Sequence, residues 1–479
     1  MLHPMSLTDS MFLTLEARQR PMHVGGLHLY RPPADAAPDY VQNVFRQLST
    51  ASEIAPLFRK RPTRSLSTAG QWAWENDEHF DIEHHVRHNA LPKPGRVLEL
   101  LSLCSRLHST TLDRNRPLWE AHLIEGLDDG RFAVYFKVHH ALLDGIAASR
   151  LLQSVLSTDP DERDQPPPWA TRLPKPRPIA DSVELTSDRT LLELPVSALK
   201  SALSLASEAA GLPRVLATTL RRGIREESSS VSFSAPKTIF NVPITGSRRF
   251  AAQSWPIARI RGVGRASRTT LNDVVLAMCS GALRRYLDSL DQLPEAPLIA
   301  MVPVALSPRD LNREGGNAVG AVMCNLGTHL SEAGERLASV HRSMMDGKDA
   351  LSTMTPLQIL AMSALGTGPL LLQSIPGLQN FARPPFNLII SNVPGPRKTL
   401  YLNGARLEGV YPLSIPFDGQ ALNITCATYH TDLAFGLTGC RRSVPHLQRL
   451  LGYLDEALSD LEKAVGVEWP ITVPSTGFR

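Results

Sequence analysis

Cysteine is scarce in this chain. Cys104, Cys279, Cys324, Cys426 and Cys440 are scattered over 479 residues, and five is an odd number. None of them has metal-ligand spacing and most sit in apolar sequence. That pattern points to reduced, buried thiols in a cytoplasmic protein rather than to a disulfide framework. Long apolar runs are lacking too, since none approaches the ~18–20 residues of a membrane-spanning helix. Any work on membrane lipid is then expected to be done from the surface. The start, Met1 to Ser6, has no basic stretch followed by an apolar one, so no signal peptide is expected. No Lys/Arg run with interleaved aromatics appears, which speaks against nucleic acid. The chain has no GxSxG elbow and no Walker A sequence. Gly262-Val263-Gly264 lacks the third glycine of a dinucleotide fingerprint. No metal-ligand set is evident, so neither a metal nor a cofactor is expected.

What is present is ordinary for a globular protein, with 43% hydrophobic and 20% charged residues. The formal net charge of +4 is mildly basic and points only weakly to an anionic partner, for which coenzyme A phosphates or an anionic lipid surface fit as well as nucleic acid. At 479 residues the chain exceeds what one core normally serves, so two domains are expected. The divisions expected are 1–158, a Pro-rich and helical linker over 159–230, and 231–479.

The informative stretch is His139-His140-Ala141-Leu142-Leu143-Asp144-Gly145, an HHxxxDG pattern. Before it, Phe132, Val134, Phe136 and Val138 alternate at period two, which predicts a half-buried strand over 131–138. After it, Leu151, Leu152, Val155 and Leu156 share one helical face, which predicts a helix opening at Gly145. The histidines therefore belong to a strand-to-helix turn. A free imidazole has a pKa of about 6.5 and is mostly neutral at physiological pH, so it can accept a proton. A nucleophile that carries a proton must lose it as its new bond forms, and a positioned His supplies roughly 10²–10⁴-fold by taking it. His139 reads either as a packed core histidine or as part of the site. Asp144 reads either as a brace of the turn or as the N-cap of the helix.

The motif resembles the active-site motif of the acyltransferases related to chloramphenicol acetyltransferase and to peptide-synthetase condensation domains. Further stretches narrow the likeness. Pro21-Met22-His23-Val24-Gly25-Gly26, Pro117-Leu118-Trp119, Asn272-Asp273 and Ser391-Asn392-Val393-Pro394-Gly395-Pro396 resemble, in order, segments of bacterial wax ester synthase/diacylglycerol acyltransferases. The resemblance spans nearly the whole chain. It implies an α/β fold with mixed sheets, built as two chloramphenicol acetyltransferase-like lobes with the active site in a tunnel between them. It implies transfer of a long acyl chain from acyl-CoA, a substrate, to a fatty alcohol or to diacylglycerol. It assigns the base to the second His, here His140; with a His as base and no partner nucleophile apparent, direct attack without an acyl-enzyme is expected. Two other readings stay open. One is a condensation-type acyltransferase with a carrier-bound donor; the other is a non-catalytic lipid-droplet binding protein.

Other segments carry narrower expectations. Phe80 to His88 holds a second His pair, but no Asp-Gly follows, and its alternation predicts a structural strand. Leu98 to Asp113 predicts a helix, Phe250 to Ile260 a strand, and Thr269 onward another helix. Thr270 with Asp273 has capping-box spacing, so Asp273 is expected to be structural. Asn272 lies in the first turn, where free N–H groups favour negative charge, and is a candidate for oxyanion support. The Arg-rich helix over 214–226 is either a lipid or phosphate contact or a solvated bridge between lobes. In 356–372, Ala361, Ala364 and Gly366 lie among leucines, which suits either a hydrocarbon channel or close helix packing. Together with Gly145 they are the candidate substrate-binding residues.

Overall fold

The structure is a computed structural model. It describes residues 2–50, 53–64, 68, 70–171, 235–305, 319–352 and 384–468. The Arg-rich helix expected over 214–226 and the candidates Ala361, Ala364 and Gly366 lie outside the described residues.

The fold is mixed α/β. In chain order the first half holds β1 (His3–Pro4), α1 (Leu7–Leu15), β2 (His23–Arg31), α2 (Tyr40–Ser49), β3 (Lys60–Thr63), β4 (Ala73–Asn76), α3 (Ile82–His85), β5 (Val86–Ala90), α4 (Val97–Ser109), β6 (Trp119–Glu125), β7 (Phe132–His139) and α5 (Gly145–Ser154). The second half holds β8 (Arg248–Pro256), α6 (Ile257–Ser267), α7 (Leu271–Asp288), β9 (Ile299–Ala305), β10 (Val319–Asn325), α8 (Ala333–Ser352), β11 (Leu388–Val393), β12 (Tyr401–Leu402), β13 (Ala405–Leu413), β14 (Leu422–Tyr429), β15 (Asp432–Cys440) and α9 (Arg449–Ala464). Two six-stranded sheets dominate, in the orders β12-β13-β2-β7-β6-β5 and β10-β9-β11-β14-β15-β8. Both are mixed: β5 runs parallel to β6, and β11 runs parallel to β9 and to β14. The first sheet takes β12 and β13 from late in the chain, with β13 antiparallel to β2.

β7 lies inside the first sheet, between β2 and β6. All eight of its residues are buried, where the alternation predicts a half-buried strand. The difference has a packing cause. Side chains alternate across a strand. Phe132, Val134, Phe136 and Val138 enter a cluster with Phe58, Trp119 and Trp169. On the other face, Ala133 and Tyr135 join Leu101 of α4, Phe250 of β8 and Tyr411 of β13. The second half thus covers a face that would otherwise meet water. The Trp119 indole N–H donates to the Phe58 carbonyl at 3.0 Å, the partner a buried indole needs.

Two further expectations are corrected. The strand expected to reach Ile260 ends at Pro256, which N-caps α6. Proline lacks the N–H that a further ladder step requires, yet its φ suits a helix entry. The second His pair closes a helical turn, α3, rather than lying in a strand. Asp81 starts that turn by accepting the Glu83 N–H at 3.0 Å. The structural role expected for that segment stands: His85 stacks on Trp119 at 4.5 Å, and its Nδ1 lies 2.8 Å from the Trp119 carbonyl. Among the described residues no helix is long and apolar enough to cross a membrane.

Candidate functional site

β7 carries the chain into the HHxxxDG turn, and neighbouring segments hold the turn from both sides. The His139 N–H donates to the Leu118 carbonyl at 3.0 Å, and the His140 N–H to the Met22 carbonyl at 2.9 Å. The His140 ring stacks on Phe12 of α1, centroid to centroid at 4.1 Å. Burial lowers the pKa of His140; the Asp144 carboxylate opposes that shift and His139 adds to it. The net direction is downward, which leaves a neutral imidazole near neutral pH, the form that takes a proton.

His139 is fully buried. Its Nδ1 accepts the Ala141 N–H at 3.1 Å, and its Nε2 faces Glu16 Oε1 at 3.5 Å. It is therefore a core histidine that also shapes the turn. Asp144 caps α5, with Oδ1 accepting the Ala147 N–H at 2.7 Å. Gly145 opens that helix, exposed, with nothing near where a Cβ would sit.

Asn272 lies in the first turn of α7. The capping box expected there is present: Asp273 N–H donates to Thr270 Oγ1 at 3.2 Å, and Thr270 N–H to Asp273 Oδ2 at 2.9 Å. Asp273 also accepts from His341 Nδ1 at 2.8 Å, which ties α8 to the start of α7. The Asn272 side chain meets Asn392 of β11, Oδ1 to Nδ2, at 3.5 Å. Among the described residues no hydrogen bond joins Asn272 to His139, His140 or Asp144.

Behind His139, on the same face of the first sheet, lies a buried polar network. Lys137 Nζ is 2.9 Å from Glu120 Oε2 and donates to the Leu107 and Thr110 carbonyls. Burial alone would raise the Glu120 carboxyl; His122 and Lys137 overcome it and pull it down to about 2. His108 Nδ1 lies 2.8 Å from the Tyr135 hydroxyl, and its Nε2 lies 3.0 Å from the Ser414 carbonyl. That second contact links α4 to the second half.

Phe12, Glu16 and Arg114 were not among the candidates read from the sequence. They reach the turn from α1 and from the segment before β6, and no local pattern marks them. Among the described residues no group of three or more His, Cys, Asp or Glu side chains is placed to hold a metal ion. Surface hollows of about 530, 480 and 590 Å³ are lined by polar residues such as Arg61, Asp77 and Arg336, and none includes the HHxxxDG turn.

Comparison with known proteins finds relatives that span nearly the whole chain. Residues 5–275 match the wax ester synthase/diacylglycerol acyltransferase catalytic domain, and residues 315–462 match the C-terminal domain of that family. A probable diacylglycerol O-acyltransferase of Mycobacterium tuberculosis is 48% identical over 460 residues, covering 96% of this chain and 98% of the relative. A wax ester synthase/diacylglycerol acyltransferase from Marinobacter aquaeolei VT8 superposes with a TM-score of 0.76 at 43% identity, covering 97% of this chain and 100% of that one. The first condensation domain of the calcium-dependent antibiotic synthetase shares the fold, with a TM-score of 0.57 at 15% identity over 97% and 96% of the two chains.

Proposed function

The chain belongs to the wax ester synthase/diacylglycerol acyltransferase family, and from that premise we infer that His140 is the general base of its acyl transfer. The protein is an O-acyltransferase that joins an acyl group from acyl-CoA to an alcohol or to diacylglycerol. In our reading the substrate hydroxyl gives its proton to His140 as its oxygen attacks the thioester carbonyl. The tetrahedral adduct collapses with cleavage of the C–S bond, and His140 returns the proton to the departing thiolate. No cofactor takes part. The observation that carries this reading is the His140 ring itself, held against Phe12 with its pKa lowered by burial.

Asn272, at the helix start that faces negative charge most favourably, supports the oxyanion in this scheme. The acyl and alcohol chains pass between the two halves, and Gly145, Ala361, Ala364 and Gly366 are assigned to their binding. The protein works in the cytoplasm, docking on a membrane or lipid-body surface to meet its apolar substrates.

The test is kcat at saturating palmitoyl-CoA, with a fatty alcohol or diacylglycerol as acceptor, for His140→Ala and His139→Ala. Circular dichroism establishes that each variant folds. Loss of roughly 10²–10⁴-fold is expected for His140→Ala, with the smaller loss in His139→Ala. A near-wild-type His140→Ala beside an inactive His139→Ala would reverse the assignment.

A further inference from the structure

We propose that Glu16 is a positioning residue for the acyl-transfer turn: one buried carboxylate anchors the backbone on both sides of the His140 side chain. The proposal rests on His140 being the base. Glu16 directly follows α1, and its side chain is only 3% exposed. Its Oε1 accepts the Met22 N–H at 3.2 Å, and the Met22 carbonyl accepts the His140 N–H at 2.9 Å. The same Oε1 faces His139 Nε2 at 3.5 Å, and His139 Nδ1 accepts the Ala141 N–H at 3.1 Å. The peptide N–H groups of residues 140 and 141 thus both trace back to one oxygen.

The other oxygen is held as firmly. Arg114 Nε donates to Glu16 Oε2 at 3.0 Å, and an Arg114 terminal nitrogen donates to the Leu13 carbonyl at 2.8 Å. Arg114 thereby fixes the carboxylate and the last turn of α1 together. That helix carries Phe12, on which the His140 ring stacks. The ring is therefore registered to Glu16 through the helix, and its backbone through Met22 and His139.

The charge on Glu16 sets the chemistry of this arrangement. A His139 whose Nδ1 accepts a hydrogen bond carries its proton on Nε2, the edge that faces the carboxylate at 3.5 Å. Burial raises the Glu16 carboxyl, but His139, the Met22 N–H and Arg114 outweigh it and leave it below its ordinary value. A neutral amide of the same shape would turn a donor toward one of three donors: Met22 N–H, His139 Nε2–H or Arg114. Any such clash is passed to His140.

The experiment compares Glu16→Gln with the unaltered protein in full-length form. Steady-state kinetics give kcat and the two KM values, a thermal melt gives the folded fraction, and ¹⁵N-histidine NMR reports the His139 tautomer. The expected result is a fall in kcat of roughly 10–100-fold, because a displacement of about 1 Å at a reacting group has that effect. Both KM values should stay within about twofold, and the His139 ring should leave its Nε2–H pattern. A kcat within twofold of wild type overturns the proposal. So does a loss that only tracks the folded fraction while the His139 pattern is unchanged. If Glu16→Gln does not fold, Arg114→Gln keeps the carboxylate and removes its clamp. A folded Arg114→Gln with unchanged kcat and an unchanged His139 pattern overturns the proposal equally. His140→Ala keeps the two readings apart. Turnover retained there removes the base assignment, whereas turnover lost there but kept in Glu16→Gln removes only the role of Glu16.

Discussion

Asp144 acts on its surroundings in two separable ways. Its side chain caps α5 through the Ala147 N–H, and its charge opposes the downward shift of the His140 pKa. Asn is as good an N-cap as Asp but carries no charge. Asp144→Asn should therefore keep its thermal midpoint, while Asp144→Ala should lose about 0.5–2 kcal/mol of stability. The sign of the pH effect follows from the same contact. His140 works unprotonated, so kcat/KM should rise with pH through its folded pKa, which lies below the ordinary 6.5. Removing the carboxylate takes away the largest influence that opposes burial, so the acid limb in Asp144→Asn should move to still lower pH. Melts and pH–rate profiles check both. An acid limb that moves upward, or an Asn variant as unstable as the Ala one, would contradict the assignment. At this scale the sequence was legible only where residues are near neighbours. His140 and Asp144 share one short motif, and the cap was foreseeable from the residue type. Glu16, Phe12 and Arg114 come from other elements, and tertiary packing alone brings them to the turn.

Single elements were legible where hydrophobic period and end signals agree. β7 and α5 fall where the alternation and the helical face put them, and the Thr270–Asp273 box starts α7 as its spacing implies. α6 escaped because apolar residues run on past Pro256 into a segment with Gly262 and Gly264, so neither period is clean. The burial of the second face of β7 also escaped, since Lys137 in that position reads as solvent-facing. It is instead fully buried, and it joins three elements. Its ammonium pairs with Glu120 of β6 and binds two carbonyls at the end of α4, where the helix dipole favours a cation. Lys137→Met should therefore be costly, by about 3–5 kcal/mol, because it leaves a buried carboxylate short of its partner and α4 short of its cap. Adding Glu120→Gln should recover part of that loss, giving a double variant less unstable than the two single losses combined. Chemical denaturation of the three variants checks this. Strict additivity would mean that Lys137 and Glu120 do not act as a pair.

Across the whole molecule, the two sheets are not independent lobes lying side by side. β12 and β13 cross from the second half into the first sheet, a pairing so distant in sequence that no local pattern announces it. Alternation finds the strands, but their sheet is decided by which edge they can complete and which face they can cover. Where the sheets meet, β15 approaches β13 closely enough that a Cβ on Gly436 would lie 1.9 Å from the Pro412 carbonyl oxygen. Glycine inside a strand marks such a backbone approach. Gly436→Ala must push the sheets apart, since a carbonyl in a paired strand cannot rotate away as a side chain can. The expected loss is about 3 kcal/mol, the upper end for overpacking. The first sheet leads into His140, whereas the second half carries Asn272, so a shift between the sheets should also lower kcat in the molecules that remain folded. Gly452→Ala is the matched control. It lies in α9 with nothing within reach of a Cβ, and a helical Gly→Ala there should stabilise by about 0.4–1 kcal/mol. Thermal melts and kcat for both variants decide the point. A Gly436→Ala protein as stable and active as the Gly452→Ala control would mean that the sheets can separate without disturbing the site.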